Sequence, residues 1–208
     1  MVAMRLIGEI DPARPLLVVA VAQEAAYLDS GLPVLLTGMG KVNAASAVAA
    51  TLVGAVRPAC VVNLGTAGAL KPGWSGTHEV RSVLQHDLDS AVLHSLTGET
   101  VGAPLDLDLD LGLDLDTAAA APSATGPVLA TGDLFVSDEP ARLRLAEHAD
   151  LVDMEGYAVA AAARAAGVPV RLIKHVSDEA GEGAAKTWRE SVDACAVLLA
   201  TWVRENLG

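Results

Sequence analysis

Short apolar runs alternate along the chain with longer stretches in which small and apolar residues recur at helical spacing. The runs are rich in Val and Leu, which is typical of strands buried on both faces. Strands are predicted at 16–22, 33–37, 59–64 and 168–176, with weaker ones at 77–85 and 128–130. Helices are predicted at 41–56, 138–149, 154–166 and 186–206. Strands that alternate with helices indicate an α/β fold around a largely parallel or mixed sheet.

Two glycine-containing segments directly follow predicted strands. Gly38-Met39-Gly40 precedes the first helix, and Gly65-Thr66-Ala67-Gly68 follows the strand at 59–64. Glycine allows the backbone to approach a ligand closely, and a helix N-terminus attracts anions. Neither segment has the spacing of a dinucleotide or phosphate-loop motif. We therefore expect each of them either to lie near a ligand or to form a tight turn.

Residues 105–116 (LDLDLDLGLDLD) are the one low-complexity segment of the chain. Their period of two predicts an edge strand, or else a poorly ordered excursion over about 103–127, within a single domain that spans residues 1–208. Clustered carboxylates also bind calcium, but alternate side chains of an extended strand lack the loop geometry of a calcium site.

Composition and charge narrow the classes of function. Hydrophobic residues make up 52% of the chain and charged residues 19%, which predicts a globular protein with a large core. The net charge of −12 argues against nucleic acid or an anionic membrane surface as a partner. The apolar runs are too short to span a membrane, and the N-terminus lacks the pattern of a signal peptide. Cys60 and Cys195 lie far apart in the sequence, so a reducing, cytoplasmic setting is expected.

Three acidic residues stand near the carboxyl ends of predicted strands. Glu24 follows the first strand, Glu155 opens a predicted helix after Asp153, and Asp178 follows the strand at 168–176. Each has an ordinary alternative as a surface acid or a helix cap, and Asp153 suits an N-cap position. Ligands of open α/β sheets bind at the carboxyl ends of strands, so together the acids indicate a site for a small molecule.

Five motifs occur in the order seen in the nucleoside phosphorylase and nucleosidase superfamily. They are GMGKVNAA at 38–45, VNLGTAGAL at 62–70, TGDLFV at 131–136, VDME at 152–155 and VSD at 176–178. The chain most resembles the 5'-methylthioadenosine/S-adenosylhomocysteine nucleosidases. This resemblance implies a three-layer α/β/α nucleoside phosphorylase-like fold with a mixed central sheet, and hydrolysis of the N-glycosidic bond of a 5'-modified purine nucleoside. It also implies a homodimer that needs neither a metal nor a cofactor.

The resemblance gives each acid a role. Asp178 would protonate N7 of the adenine leaving group, and Glu24 would activate water, which follows the two-carboxylate logic of inverting glycosidases. Glu155 would accept hydrogen bonds from the ribose hydroxyls. Phe135 would stack on the purine, whose edge the backbone of Val136 would contact. The other substrate-binding candidates are Met39, Thr66, Ala67, Gly68, Asp153, Met154, which would pack beneath the sugar, and Ser177.

The choice between hydrolase and phosphorylase depends on missing arginines. Phosphorylases of this superfamily carry an arginine where this chain has Asn63 and another near the end of the first strand, because phosphate recognition needs a charged fork. Water is therefore the predicted nucleophile. A futalosine or aminodeoxyfutalosine hydrolase is the alternative substrate class, and a nucleoside-binding protein without catalysis is the alternative of another kind.

Trp188 and His86 have two interpretations each, and Lys174-His175 departs from the family pattern. Trp188 is expected either to close over the site or to pack in the core. His86 is followed by two aspartates, but a metal site there is disfavoured because no metal-binding motif accompanies it. Lys174, followed by His175, replaces the Arg-Ala that is commoner in the family before the last motif.

Overall fold

A mixed sheet of ten strands forms the centre of a computed structural model that describes residues 4–107 and 126–208. The strands are β1 (Arg5–Ile7), β2 (Leu16–Val19), β3 (Val34–Leu36), β4 (Val61–Ala69), β5 (Thr77–Glu79), β6 (Ser82–Gln85), β7 (Leu105–Asp106), β8 (Val128–Thr131), β9 (Leu151–Asp153) and β10 (Val170–Asp178). The helices are α1 (Lys41–Leu52), α2 (Ser90–Thr97), α3 (Glu139–Ala146), α4 (Gly156–Ala165) and α5 (Ala184–Leu207).

The sheet is organised around the nine-residue strand β4. Strand β10 runs parallel to β4 along nearly all of its length, from Val61 to Gly68. On the opposite edge, the first residues of β4 pair in parallel with β2, and its last two residues pair antiparallel with β9. Hydrogen-bonded neighbours follow the path β1-β3-β2-β4-β9-β8-β6-β7, in which β2 and β9 share one edge of β4. Strand β10 occupies the other edge of β4, and β5 lies outside β10. The sheet therefore changes from parallel to antiparallel pairing in the middle of β4.

Helices cover both faces of the sheet because successive strand residues point to opposite sides. Leu16 and Val18 of β2 belong to a core cluster that includes residues of α1 and α4. Leu17 and Val19 belong to a second cluster, which includes Leu199 of α5. The C-terminal part of α3 packs against a third cluster under β8 and β9. The predicted three-layer arrangement with a mixed central sheet is confirmed.

Of the two alternatives for Gly65-Thr66-Ala67-Gly68, the tight turn is wrong, because these residues continue β4 beside β10. Neither glycine there has a positive φ. Gly65 is small for another reason, since a Cβ at this position would lie 3.3 Å from Nζ of Lys174 and 3.5 Å from Oε1 of Glu24. By contrast, Gly38 and Gly40 have φ of 85° and 91°, as expected for the loop before α1.

Two other element predictions need correction. The predicted strand at 77–85 is divided, because residues 77–79 pair with β10 while residues 82–85 turn away to pair with β8. The helix predicted from Met154 begins at Gly156, since Leu151–Asp153 form strand β9. Leu105 and Asp106, at the start of the Leu-Asp repeat, pair antiparallel with β6 as an edge strand. The remainder of the repeat and the Ca²⁺ alternative lie outside the described residues.

Two further observations concern membrane-spanning helices and the cysteines. Within residues 4–107 and 126–208, no helix combines the length and the apolar character needed to cross a bilayer. Cys60 and Cys195 are both buried free thiols.

Candidate active site

A cavity of about 330 Å³ lies where β4 exchanges β2 for β9 as its neighbour. Its walls come from the carboxyl ends of strands and from the segments that follow them, which is where α/β folds bind ligands. The lining residues that carry the chemistry are Glu24, Asn63, Thr66, Phe135, Asp153, Glu155, Lys174, Asp178, Trp188 and Arg189. The cavity therefore brings together four acids from three separate segments of the chain.

Glu24 is buried five residues after the end of β2. Its Oε1 accepts hydrogen bonds from the backbone N–H and from Oγ1 of Thr66, both at 2.8 Å. Burial raises the pKa of Glu24, whereas the hydrogen bonds from Thr66 and the charge of Lys174 act in the opposite direction. The carboxylate is thus held in a fixed position in a sheltered place, with an affinity for a proton above that of an exposed glutamate.

Lys174 on β10 is 1% exposed, and its ammonium group lies among acids. Its Nζ is 2.8 Å from Oδ2 of Asp153. Burial alone would lower the pKa of Lys174, but the nearby charges of Asp153, Glu155 and Glu24 raise it overall. Lys174 therefore stays protonated and supplies the positive charge that allows several carboxyl groups to share one cavity.

Glu155 lies immediately before α4 and is almost completely buried. Its Oε1 accepts a hydrogen bond of 2.7 Å from the backbone N–H of Gly40, which fixes the glycine loop before α1 against the cavity. Burial, followed by repulsion from Asp153, raises the pKa of Glu155 to about 8. Glu155 can therefore gain or lose a proton near neutral pH.

Asp178 ends β10 and has both carboxyl oxygens held by its neighbours. Oδ1 accepts the backbone N–H of Ala180 at 2.8 Å, and Oδ2 accepts the hydroxyl of Ser177 at 2.9 Å. Gly68 on β4 faces it, and a Cβ on Gly68 would lie 3.1 Å from Oδ1. The glycine on the neighbouring strand thus makes room for this carboxyl group.

Comparison with known proteins identifies the family. A family model described as the phosphorylase superfamily matches residues 26–201. The chain belongs to the phosphorylase superfamily. It is 32% identical over 181 residues to a 5'-methylthioadenosine/S-adenosylhomocysteine nucleosidase from Geobacillus kaustophilus, and the match covers 81% of this chain and 76% of that one. An aminodeoxyfutalosine nucleosidase from Campylobacter jejuni is 37% identical over 78 residues, which are 36% of this chain and 34% of that one.

A solved structure supports the fold. The 5'-methylthioadenosine/S-adenosylhomocysteine nucleosidase from Neisseria meningitidis, in complex with methylthio-immucillin-A, superimposes with a TM-score of 0.75 at 24% identity. The superposition covers 92% of this chain and 97% of that one. The superfamily and the fold expected from the motifs are confirmed. The predicted enzyme class is confirmed as well, because the curated relatives are nucleosidases, which are N-glycosyl hydrolases.

Most of the residues that the superfamily motifs predicted for the site line the cavity. Two do not: Gly68 and Ser177 lie beside Asp178 and contact it from outside the cavity wall. Asp153 accepts the N–H of Gly156, as a capping residue would, and it also accepts the hydroxyl of buried Thr131 and pairs with Lys174. The predicted residues on the wall are Glu24, Met39, Thr66, Ala67, Phe135, Val136, Asp153, Met154, Glu155 and Asp178.

The aromatic and apolar candidates lie at the mouth of the cavity. Phe135 is 44% exposed, the neighbouring Leu134 is 69% exposed, and Met39 reaches the same rim from the glycine loop. Val136 is buried behind them. Phe135 is thus available to contact a ligand instead of filling the core.

The sequence did not assign a role to Lys174, although the exchange of the family's Arg-Ala for Lys174-His175 marked the position. The available signal was a lysine in a mostly aliphatic strand that lacks the regular alternation of apolar and polar residues seen in a half-exposed strand. His175 is structural, since its Nδ1 lies 2.8 Å from Oγ1 of Thr77. In the part of the chain that the structure describes, no group of three or more His, Cys, Asp or Glu side chains has the arrangement of a metal site.

Proposed function

We propose that the protein hydrolyses the N-glycosidic bond of 5'-methylthioadenosine or S-adenosylhomocysteine and releases adenine. The observation that carries the proposal is the convergence of Glu24, Glu155 and Asp178 on one cavity. Cleavage of this bond needs an acid for the purine, a base for water and stabilisation of the positive charge on the sugar. The three carboxyl groups match these three needs.

In this mechanism, Asp178 acts on the leaving group. As the bond from C1' to N9 breaks, its electron pair passes to the purine, and N7 takes up a proton through the carboxyl group of Asp178. The hydrogen bonds from Ala180 and Ser177 orient the carboxyl group toward the base. Phe135 at the rim is placed to stack on the purine ring.

Glu24 acts on the nucleophile. It takes a proton from a water molecule as the oxygen of that water bonds to C1', so that the products are adenine and the free sugar. Its sheltered position and raised pKa favour proton uptake, and the contacts from Thr66 fix the carboxylate. Lys174 balances the charge of Glu24 in the free protein.

Glu155 binds the sugar. Its carboxyl group accepts hydrogen bonds from the ribose hydroxyls, and Met154 packs beneath the ring. Because the pKa of Glu155 is about 8 in the free cavity, a positive charge that develops on the sugar favours the ionised form. The interaction is thereby strengthened in the transition state, which is the condition for catalysis.

The cation content of the cavity favours water over phosphate. Asn63 occupies the place of the phosphorylase arginine, and its Nδ2 donates to the backbone carbonyl of Val18 at 3.0 Å. Lys174 is paired with Asp153. The remaining lining cation, Arg189, donates its Nε to the backbone of Ala185 in the same helix.

Base release is the direct test. Methylthioadenosine, S-adenosylhomocysteine, 6-amino-6-deoxyfutalosine, futalosine and inosine are incubated separately in phosphate-free buffer, and the free base is measured by chromatography. We expect adenine from one or both of the first two substrates. Asp178→Asn retains the acceptor for Ala180 but cannot pass a proton to N7, so the rate should fall by about 10²–10⁴-fold.

The other outcomes assign the protein elsewhere. Release from a futalosine alone would establish the alternative substrate class, to which the Campylobacter relative belongs by name. Release only after phosphate is added would make the protein a phosphorylase. Binding without cleavage of any nucleoside would support the non-catalytic alternative.

We also propose that a second copy of the chain covers the cavity mouth. Leu134, Phe135 and Met39 leave apolar surface exposed around it. Such patches are typical of interaction sites. A homodimer is expected in light scattering, and Leu134→Asp should weaken it and raise KM. A monomeric wild-type protein with full activity would contradict the proposal.

A further inference from the structure

A chain of hydrogen bonds links the wall of the cavity to the carboxylate of Glu24. Nε1 of Trp188 lies 2.9 Å from Oγ1 of Thr66, and this oxygen lies 2.8 Å from Oε1 of Glu24. We propose that Trp188 is a positioning residue for the general base, because its indole N–H fixes the Thr66 hydroxyl so that the hydroxyl donates to Glu24. The inference rests on the proposed hydrolase function.

The direction of each hydrogen bond follows from the donors present. An indole N–H can only donate, so Oγ1 of Thr66 is the acceptor in its contact with Trp188. The single hydroxyl proton of Thr66 is then directed to Glu24, whose carboxylate can only accept when it is ionised. Without the indole, the hydroxyl is free to rotate away from Glu24. The chain of bonds thus stabilises the ionised carboxylate that a general base requires.

The three residues come from separate elements. Trp188 lies in the N-terminal part of α5, Thr66 lies on β4, and Glu24 follows β2. Trp188 also lines the cavity, so its ring contacts the space that a ligand would occupy. A phenylalanine would also present an aromatic face to that wall, but it lacks the N–H that reaches Thr66. This chain of hydrogen bonds, which we call the relay, therefore connects Glu24 to helix α5, which forms part of the cavity wall.

Other titratable groups also face Glu24 from the elements packed around it. Lys174 on β10 favours the ionised form of Glu24, whereas Glu155 before α4 opposes it. Cys195 on α5 is a neutral thiol at physiological pH, because burial raises its pKa. These three groups are unchanged by Trp188→Phe, so a shift in the pKa of Glu24 caused by this substitution reports on the relay.

Kinetics of three variants test the proposal. Trp188→Phe keeps an aromatic ring and removes the donor, Thr66→Val removes the hydroxyl, and Thr66→Ser keeps it as the matched control. With methylthioadenosine as substrate, loss of the relay should raise the pKa of Glu24. The acidic limb of the pH profile of kcat/KM should then move to higher pH, and kcat/KM on that limb should fall by about two- to tenfold.

The effects of Thr66→Val and Trp188→Phe on the acidic limb should not be additive. Once Thr66→Val has removed the hydroxyl, Trp188→Phe in the same protein should shift the acidic limb no further. Thr66→Ser should leave the limb near its wild-type position. A Trp188→Phe protein whose KM rises while its acidic limb stays unchanged would overturn the proposal, since that is the result expected if Trp188 only packs against the ligand.

A readout that needs no catalysis separates this inference from the proposed function. The chain has three tryptophans, so ¹⁵N-labelled protein gives three indole N–H signals, and the signal lost in Trp188→Phe belongs to Trp188. We expect this signal to shift with pH as Glu24 titrates, and the shift to disappear in Glu24→Gln and in Thr66→Val. A signal that does not respond to pH in the wild type would overturn the inference. If the protein releases no base, the proposed function fails while this titration still tests the relay.

Discussion

Replacement of Glu155 by glutamine should stabilise the protein at alkaline pH while it removes activity. In the folded chain the pKa of Glu155 is about 8, against 4.5 for an ordinary glutamate, because burial and Asp153 disfavour its charge. An acid whose pKa is raised by folding stabilises the fold below its unfolded pKa and loses that contribution as the pH rises through its folded pKa. Wild-type stability therefore declines between about pH 4.5 and pH 8 from this group.

The magnitude follows from the width of that window. Each pH unit between the two pKa values changes the free energy of unfolding by about 1.4 kcal/mol, which amounts to about 2 kcal/mol at pH 6 and about 5 kcal/mol at pH 8. Glutamine resembles the protonated side chain, and its carbonyl oxygen can accept the N–H of Gly40 as Oε1 of Glu155 does. The variant should therefore match the wild type near pH 4.5 and exceed its stability at pH 8.

Urea unfolding of both proteins, followed by far-ultraviolet circular dichroism at several pH values, gives this difference. The difference between the two free energies of unfolding is the relevant quantity, because the contributions of all other groups cancel in it to first order. A difference that stays constant between pH 5 and pH 8, or that favours the wild type as the pH rises, would refute the assignment of a raised pKa to Glu155.

Two further substitutions test the surroundings of the carboxyl groups. Lys174→Met should lower the free energy of unfolding by about 3–5 kcal/mol, because it leaves buried carboxylates without their cation, and Asp153→Asn in the same protein should restore at least half of that loss. A single variant with near wild-type stability in urea unfolding would contradict the buried ion pair. Gly68→Ala places a methyl group 2.9 Å from Cβ of Ala180, whose N–H binds Asp178, and 3.1 Å from Oδ1 of Asp178 itself, so kcat should fall by about tenfold. The control Gly54→Ala, which meets only ordinary contacts, should change kcat little. Equal kcat values for the two glycine variants would show that Asp178 tolerates displacement.

The places of the acids could be predicted because apolar runs reveal buried strands, and functional side chains follow the ends of such strands. Glu24 and Asp178 were found in this way, and the motif at 152–155 added Glu155. The alternative of a turn at Gly65–Gly68 was wrong because glycine has two uses that look alike in a sequence. Gly40 permits a positive φ, whereas Gly65 permits two charged side chains to approach a strand. Only the tertiary neighbours distinguish the two uses.

Lys174 shows a second limit. Lysine is ordinarily a surface residue, and its burial is tolerable only where compensating charge is close. That charge comes from Glu24, Asp153 and Glu155, which belong to segments far from Lys174 in the sequence. A pattern of hydrophobic and polar positions describes each segment separately, so it could not indicate that these groups meet.

The charges brought together in this way argue for water as the nucleophile. The carboxyl groups that line the cavity are Glu24, Asp153, Glu155 and Asp178, whereas Lys174 and Arg189 are the lining cations. A phosphate dianion that entered this cavity would meet four carboxyl groups, whose ionisation it would oppose, and would find Lys174 already paired with Asp153. Water carries no such penalty, and a positive charge that develops on the sugar is favoured by the same excess of carboxylates. The site therefore opposes phosphorolysis and favours hydrolysis through one feature, the surplus of acids over cations.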